Sequence, residues 1–486
     1  MLVEIILFLS IIIGNNFIST DLKIENKKSR ITILISSVVV LVLIFSPIQY
    51  INKWILNNIY DIEKRRDYKG ITDMGQYYAM YGFFGGMYGQ VLENRVQKPD
   101  NYDEQLINEE LKDLKQEKET MLGKPNIIVV FSESFWDVDQ LDEVEFNTKV
   151  TPNFQKLKEE GLFFNMISPS YGGVSANVEY EFLTGSNLMY FNRGYVPYLQ
   201  LYNNKTYYDR PSIISELKNN GYRTKIVTCA SPNLFNCGRF YKYLKVDDTE
   251  FVTKVDKKDM KGLYISDEYV TNRIINEFEN KSENEKLFYM TMTMQAHMPY
   301  LLRKYNDYDV DIVKSDLSEG MNNTLKSYAQ GIYDADKQLG RLYDYIKSID
   351  EPTIIVFYGD HLPYLDSIDG DLFQKLKYFN TEDEVLNLYR KYNTQSLILA
   401  NFDIKQEKNT KYLGPDLLSS YILNNMDIEV SDYYKWLYYS KDTIGAANFA
   451  VSIDQNGKLY RTTDLSENMK KIYNMRRNIE YKYFVK

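Results

Sequence analysis

The sequence predicts an α/β domain, a sheet carrying helices on both faces, behind an apolar amino-terminal segment. Three observations predict it. Beyond Gly123 short apolar runs alternate with amphipathic helical stretches. The composition, 44% hydrophobic and 15% aromatic over 486 residues, can bury a large core. The residues capable of chemistry gather just past the ends of the predicted strands, where open α/β sheets bind ligands. With 58 Lys+Arg against 67 Asp+Glu the net charge is −9, and no strongly basic stretch could hold a polyanion. Nucleic-acid binding is therefore excluded as an expectation.

Taken in chain order, residues 1–53 read as a membrane anchor. Ile31 to Asn52 contain no charged side chain and suffice to cross a hydrocarbon core. Leu2 to Ile18 form a second candidate span, shortened or the tail of a longer one, with Glu4 near its start. Between them Lys23, Lys27, Lys28 and Arg30 make a basic loop that the positive-inside rule places in the cytoplasm. Everything after Lys53 then lies outside the cell, although Lys64, Arg65 and Arg66 weigh against that orientation. No alanine precedes Ala79, so an A-x-A cleavage site is missing and permanent anchoring is expected.

Residues 54–123 read as a helical connector. Ile107, Leu111 and Leu114 recur on one face of a predicted helix over 103–120, to be packed on the following domain or laid on a membrane surface. Lys98 and Pro99 mark a break before it. Residues 124–445 read as the main α/β domain and 446–486 as its carboxyl-terminal extension. Predicted strands are Asn126 to Phe131, Phe163 to Ile167, Thr224 to Thr228, Leu287 to Thr293 and Thr353 to Tyr358; Ile213 to Asn219 and Ala335 to Ile346 are amphipathic helices. No repeat or low-complexity tract occurs. Cys229 and Cys237 are too few for a disulfide scaffold or a four-cysteine zinc site, and are expected as free buried thiols.

The chain has only two histidines, His297 and His361. Both fall just past strand ends, as do Glu133, Ser175 and Asp360. Glu133, Asp360 and His361 offer two carboxylates and one imidazole, a set suited to Mn²⁺ or Zn²⁺ more than to Ca²⁺. Each alone could equally be a capping carboxylate or a satisfied core histidine. Ser175 follows two glycines and precedes a helical pattern, so it could be a metal-activated nucleophile facing an anion at a helix start, or simply an N-cap.

The blocks NIIVVFSESF, GGVSANVEYEFLTG, TMQAHMPY and VFYGDHLP, with KPDNY and YISDEY, resemble the lipoteichoic acid synthase family over roughly residues 95–440. That family comprises membrane-anchored phosphoglycerol transferases of the alkaline phosphatase and sulfatase superfamily. The resemblance implies that superfamily's fold and one divalent ion, Mn²⁺ ahead of Mg²⁺ or Zn²⁺, on Glu133, Ser175, Asp360 and His361. It implies Ser175 as nucleophile where the family usually has threonine, and His297 at the substrate. Where the family tends to show an Asn-Arg pair contacting phosphate, this chain reads Phe235-Asn236-Cys237-Gly238-Arg239, so that either Arg239 is displaced into that role or the contact is lost.

The expected reaction takes phosphoglycerol from phosphatidylglycerol to a hydroxyl of a cell-envelope polymer or glycolipid, at the outer face of the cell membrane. Phosphoethanolamine transfer is the nearest rival. Sulfatase-like hydrolysis is disfavoured because Ser175 to Glu179 lacks the proline and arginine of C/S-x-P-x-R. A non-catalytic, polymer-binding domain is the alternative from another class.

Overall fold

The computed structural model describes residues 96, 98–112, 114–116, 122–191, 195–201, 210–405 and 409–486. Both candidate spans, the basic loop between them and most of the connector lie outside the described residues. Among the described residues no helix is long and apolar enough to cross a membrane.

The core is a seven-stranded sheet. Its strands are β1 (Asn126–Ser132), β2 (Leu162–Ile167), β3 (Arg223–Thr228), β4 (Asp248–Phe251), β5 (Leu287–Met292), β6 (Thr353–Gly359) and β7 (Asn393–Ala400), in the spatial order β2-β7-β6-β1-β5-β3-β4. Parallel pairing joins β6, β1, β5, β3 and β4. β7 runs antiparallel to both β6 and β2, so β2 points the same way as the other five. The sheet is thus mixed by one strand, and six strands end at the same carboxyl edge. β1 and β6 are fully buried apolar runs, as expected of strands covered on both faces.

All five predicted strands lie within a residue of their expected limits, and the predicted helix Ile213–Asn219 has the expected bounds. Two expectations about helices need correction. The helix expected over 103–120 is α1 (Glu104–Leu111): Lys112 is extended, and Gln116 instead reaches the carbonyls of Asn424 and Met426. Its buried residues are Ile107 and Leu111, and Trp436 donates to Glu110 while Lys482 pairs with Asn108, so it packs on the domain's carboxyl-terminal part. The helix expected from Ala335 belongs to a 29-residue helix, Glu319–Lys347. Cys229 and Cys237 are free, and burial pushes each thiol up to about 12.

Candidate metal and nucleophile site

The register of the sheet's two central strands builds the first half of the site. Ser132, last in β1, pairs with Gly359, last in β6, so the next residues, Glu133 and Asp360, leave neighbouring strands at the same level. A Cβ at Gly359 would lie 1.9 Å from the Phe135 carbonyl oxygen; only glycine lets the two chain segments pass this closely. Glu133, Asp360 and His361 are 2%, 0% and 2% exposed.

Their hydrogen bonds orient the free lone pairs toward one point. Asp360 Oδ1 accepts from the backbone N–H groups of Ser134 (2.7 Å) and His361 (2.8 Å), while Oδ2 is buried without a hydrogen-bond partner. Ser134 Oγ donates to Glu133 Oε1 at 2.8 Å. His361 Nδ1 lies 2.9 Å from the Leu362 carbonyl, which can only accept, so Nδ1 carries the proton and Nε2 presents a lone pair. His361 Nε2 is 3.3 Å from Asp360 Oδ2 and 3.9 Å from Glu133 Oε1.

One ligand atom from each of the three residues lies within 4.8 Å of the others. One ion with bonds of about 2.0–2.2 Å can bridge that spread after small side-chain shifts. The donor set fits a divalent cation: two carboxylates, an imidazole whose second nitrogen is fixed by a carbonyl, and an orphaned Asp360 oxygen. Burial, then the neighbouring Asp360 charge, pushes Glu133 well above the usual carboxylate range. Two carboxylates buried this closely are poorly compensated by protein groups alone.

The second half of the site comes from the far edge of the sheet. After β2 a loop crosses toward β6 and enters α2 (Ser175–Thr184) through three successive residues with positive φ: Gly172, Gly173 and Val174. The first two tolerate that conformation; for β-branched Val174, at φ 60°, it costs on the order of 1–3 kcal/mol and marks a turn held by its surroundings. Gly172 N–H donates to the Leu362 carbonyl (3.1 Å), the same oxygen that fixes His361, so the loop and the imidazole share an anchor.

Ser175 is the first residue of α2. Val174 occupies the cap position, and no side chain caps the helix. Ser175 Oγ lies 3.5 Å from Glu133 Oε2 and 3.5 Å from His361 Nε2. The N-cap alternative therefore fails, and the hydroxyl borders the cluster.

His297 and Arg239 also follow carboxyl ends of strands. His297, half-buried, lies beyond β5 and is held at Nδ1 by the Met298 carbonyl (2.7 Å) and Tyr264 Oη (3.1 Å). Arg239 is exposed in the first turn of α4 (Cys237–Tyr243), with α3 assigned to Ile213–Asn219. Its Nε donates to Tyr243 Oη at 3.3 Å and its guanidinium lies over that ring. Sequence reasoning missed Ser134, Thr293 and Lys304. Thr293 Oγ1 accepts the Glu133 N–H (3.2 Å), and the Lys304 charge acts on Glu133.

Comparison with known proteins bears on the family and the fold. Residues 125–428 match the sulfatase family model. A Rhizobium meliloti (strain 1021) protein named for cyclic β-1,2-glucan modification is 29% identical over 340 residues, 70% of this chain and 51% of the relative, so the chain spans about half that relative's length. Among solved structures, the Streptococcus pyogenes phosphoglycerol transferase GacH, in complex with sn-glycerol-1-phosphate, superposes with a TM-score of 0.62. It is 24% identical, with 80% of this chain and 96% of that one covered. The Listeria monocytogenes lipoteichoic acid synthase LtaP gives a TM-score of 0.52 at 20% identity, covering 78% of this chain and 96% of that one. The two structures speak to the fold. The family match spans well over half of the sequence, and the chain belongs to the sulfatase family.

Proposed function

We propose that the chain is a metal-dependent transferase that moves phosphoglycerol from phosphatidylglycerol onto a hydroxyl of a cell-envelope glycan or polymer. The observation that carries this reading is Ser175 Oγ, equidistant at 3.5 Å from Glu133 Oε2 and His361 Nε2 at the first turn of α2. A divalent ion on Glu133, Asp360, His361 and Ser175, Mn²⁺ ahead of Mg²⁺ or Zn²⁺, would lower the hydroxyl's pKa and stabilise charge on the phosphoryl oxygens.

Ser175 Oγ forms the bond to phosphorus as the ester bond to diacylglycerol breaks. The proton released by Ser175 passes to His297 Nε2, whose Nδ1 is occupied, and from there to the departing oxygen. The acceptor hydroxyl then attacks phosphorus, its proton passes through His297 Nε2 to Ser175 Oγ as the bond from that oxygen to phosphorus breaks, and the serine is regenerated. The free N–H groups and dipole at the start of α2 favour the anionic phosphoryl group. Arg239 is the candidate for holding the glycerol phosphate. Anchoring through 31–52, with the domain outside the cell, would bring lipid donor and envelope acceptor together.

The glycerol phosphate bound to GacH supports the head group, and the relative named for glucan modification supports a carbohydrate acceptor. The test is to incubate the full chain, with Mn²⁺ and a glycan acceptor, with phosphatidylglycerol labelled in its head group. Labelled acceptor together with diacylglycerol is expected. Activity with phosphatidylethanolamine alone would transfer the reading to the rival head group, and sulfate release without diacylglycerol would replace it with hydrolysis.

A further inference from the structure

The segment following His297 is inverted relative to a folding pattern. Leu301 and Leu302 are 43% and 46% exposed, while Lys304, two residues on, is 4% exposed. Burying a lysine is unfavourable unless its charge is used. Lys304 Nζ lies over the rings of Tyr264, Tyr300 and Tyr305, 5.2–5.5 Å from their centroids, and the charges of Asp267 and Glu133 act on it. Its hydrogen bond goes to the backbone carbonyl of His297, at 2.6 Å.

The next carbonyl is held as well. Tyr264 Oη donates to Met298 O and lies 3.1 Å from His297 Nδ1, with its ring edge-on to the imidazole at 5.4 Å. Since Met298 O can only accept, the proton between it and His297 belongs to Nδ1, and Tyr264 Oη accepts from the same N–H. The turn carrying Tyr264 is itself seated on the lysine's segment: a Cβ at Gly262 would meet the Lys304 carbonyl oxygen at 2.8 Å.

We propose that Tyr264 and Lys304 are positioning residues that grip the carbonyls of Met298 and His297 and lock the His297 ring as its Nδ1–H tautomer, leaving Nε2 as the nitrogen that exchanges protons with the substrate. The proposal rests on the reading of His297 given above. It assigns a purpose to the YISDEY motif and to a lysine that the transfer reaction otherwise leaves unused. The tautomer matters because a ring protonated on Nε2 in its neutral form could not accept the acceptor hydroxyl's proton there.

The composition supplies the test. With two histidines in the chain, ¹⁵N-histidine labelling of the full protein yields ring signals from His297 and His361 alone, and His297→Ala assigns them. The wild type is expected to show His297 as one Nδ1–H tautomer. Tyr264→Phe, which removes one oxygen, should give a tautomer mixture and lower kcat by about 10- to 100-fold with KM and metal content unchanged. Lys304→Met should do the same, and Lys304→Arg should restore most of the rate; if Lys304→Met fails to fold, Tyr264→Phe still decides. A His297 ring that stays fully Nδ1–H in Tyr264→Phe overturns the clamp, and so does a loosened tautomer with an unaltered rate. A locked wild-type tautomer in a protein that transfers no phosphoglycerol would instead defeat the functional reading and leave the clamp standing.

Discussion

The two ends of α2 hold similar ingredients and treat them differently. Beyond its carboxyl end, Asp416 and Glu480 meet the buried Arg476, whose guanidinium pairs with Asp416 Oδ2 (2.7 Å) and Glu480 Oε1 (3.4 Å) and donates to the Gly185 carbonyl. Ser186 Oγ and the Asn187 N–H complete Glu480, and Leu188 N–H donates to Glu181. At its amino end, Glu133 and Asp360 are as deeply buried, with hydroxyl, backbone N–H and imidazole partners where the other end has a guanidinium. One end carries its own cation and forms a structural joint. The other would be completed by the divalent ion proposed above, and there the strained turn brings the Ser175 hydroxyl to the cluster.

Four experiments sharpen or break this contrast. The largest effect is expected from Ser175→Ala, which should lower phosphoglycerol transfer at least ~10³-fold. The fold should survive, while Ser175→Thr, with the hydroxyl kept, should stay within about tenfold of wild type. Normal turnover by the alanine variant would exclude the covalent route.

Arg476→Met comes next and should act on stability, since it strands buried carboxylates without their cation. About 3–5 kcal/mol of unfolding free energy should be lost, read from the urea midpoint. A loss below 1 kcal/mol would mean that the joint does not depend on its ion pair.

Third, Mn²⁺ at a hundredfold excess over its dissociation constant should stabilise the protein by about 2.7 kcal/mol, and Asp360→Asn should abolish most of that gain. The sign of its pH dependence follows from Glu133, whose folded pKa lies well above 4.5. In the metal-free chain its contribution is present below the unfolded value and is lost as pH rises through the folded one. The ion requires the carboxylate, so metal affinity should fall as pH drops below that folded value, and saturating metal should flatten the decline in stability between the unfolded and folded values. Metal affinity that rises on acidification would contradict the assignment of Glu133 as a ligand.

The smallest effect concerns the middle of the same helix. Glu179 accepts from Tyr241 Oη (2.6 Å) and Tyr198 Oη (2.8 Å), and burial pushes it up to about 7. Its contribution to stability is therefore present below 4.5 and lost as pH rises through about 7. Glu179→Gln should change stability by under ~1 kcal/mol near pH 5 and remove that part of the pH slope, as measured by chemical denaturation across the window.

What the sequence made legible was what repeats in one dimension. β1 and β6 are unbroken apolar runs, and the residues following them were found because strand ends are where parallel sheets put chemistry. β7 escaped because its first half, Asn393 to Ser396, is polar yet fully buried beside β2, where Asn393 donates to the Met166 carbonyl. The long helix was read only from Ala335 because its earlier turns bury Ser327, Gln330 and Asp334, which blur an amphipathic pattern. Lys304 was invisible for a related reason: in LLRKY nothing local says that the lysine turns inward and the leucines outward. Its partners decide that, and Tyr264, Asp267 and Glu133 among them are distant in the chain.

The close passage at Gly359 also gives the site a built-in gauge. A single methyl group there would collide with the Phe135 carbonyl before it met any group with chemistry. It would pry the segment holding Glu133 from the one holding Asp360 without altering a donor atom. In a homologous chain, a side chain at this position would report a widened gap between the two carboxylates. Such a protein could retain every residue proposed for catalysis and still have lost the spacing that would let one ion reach Glu133, Asp360 and His361 together.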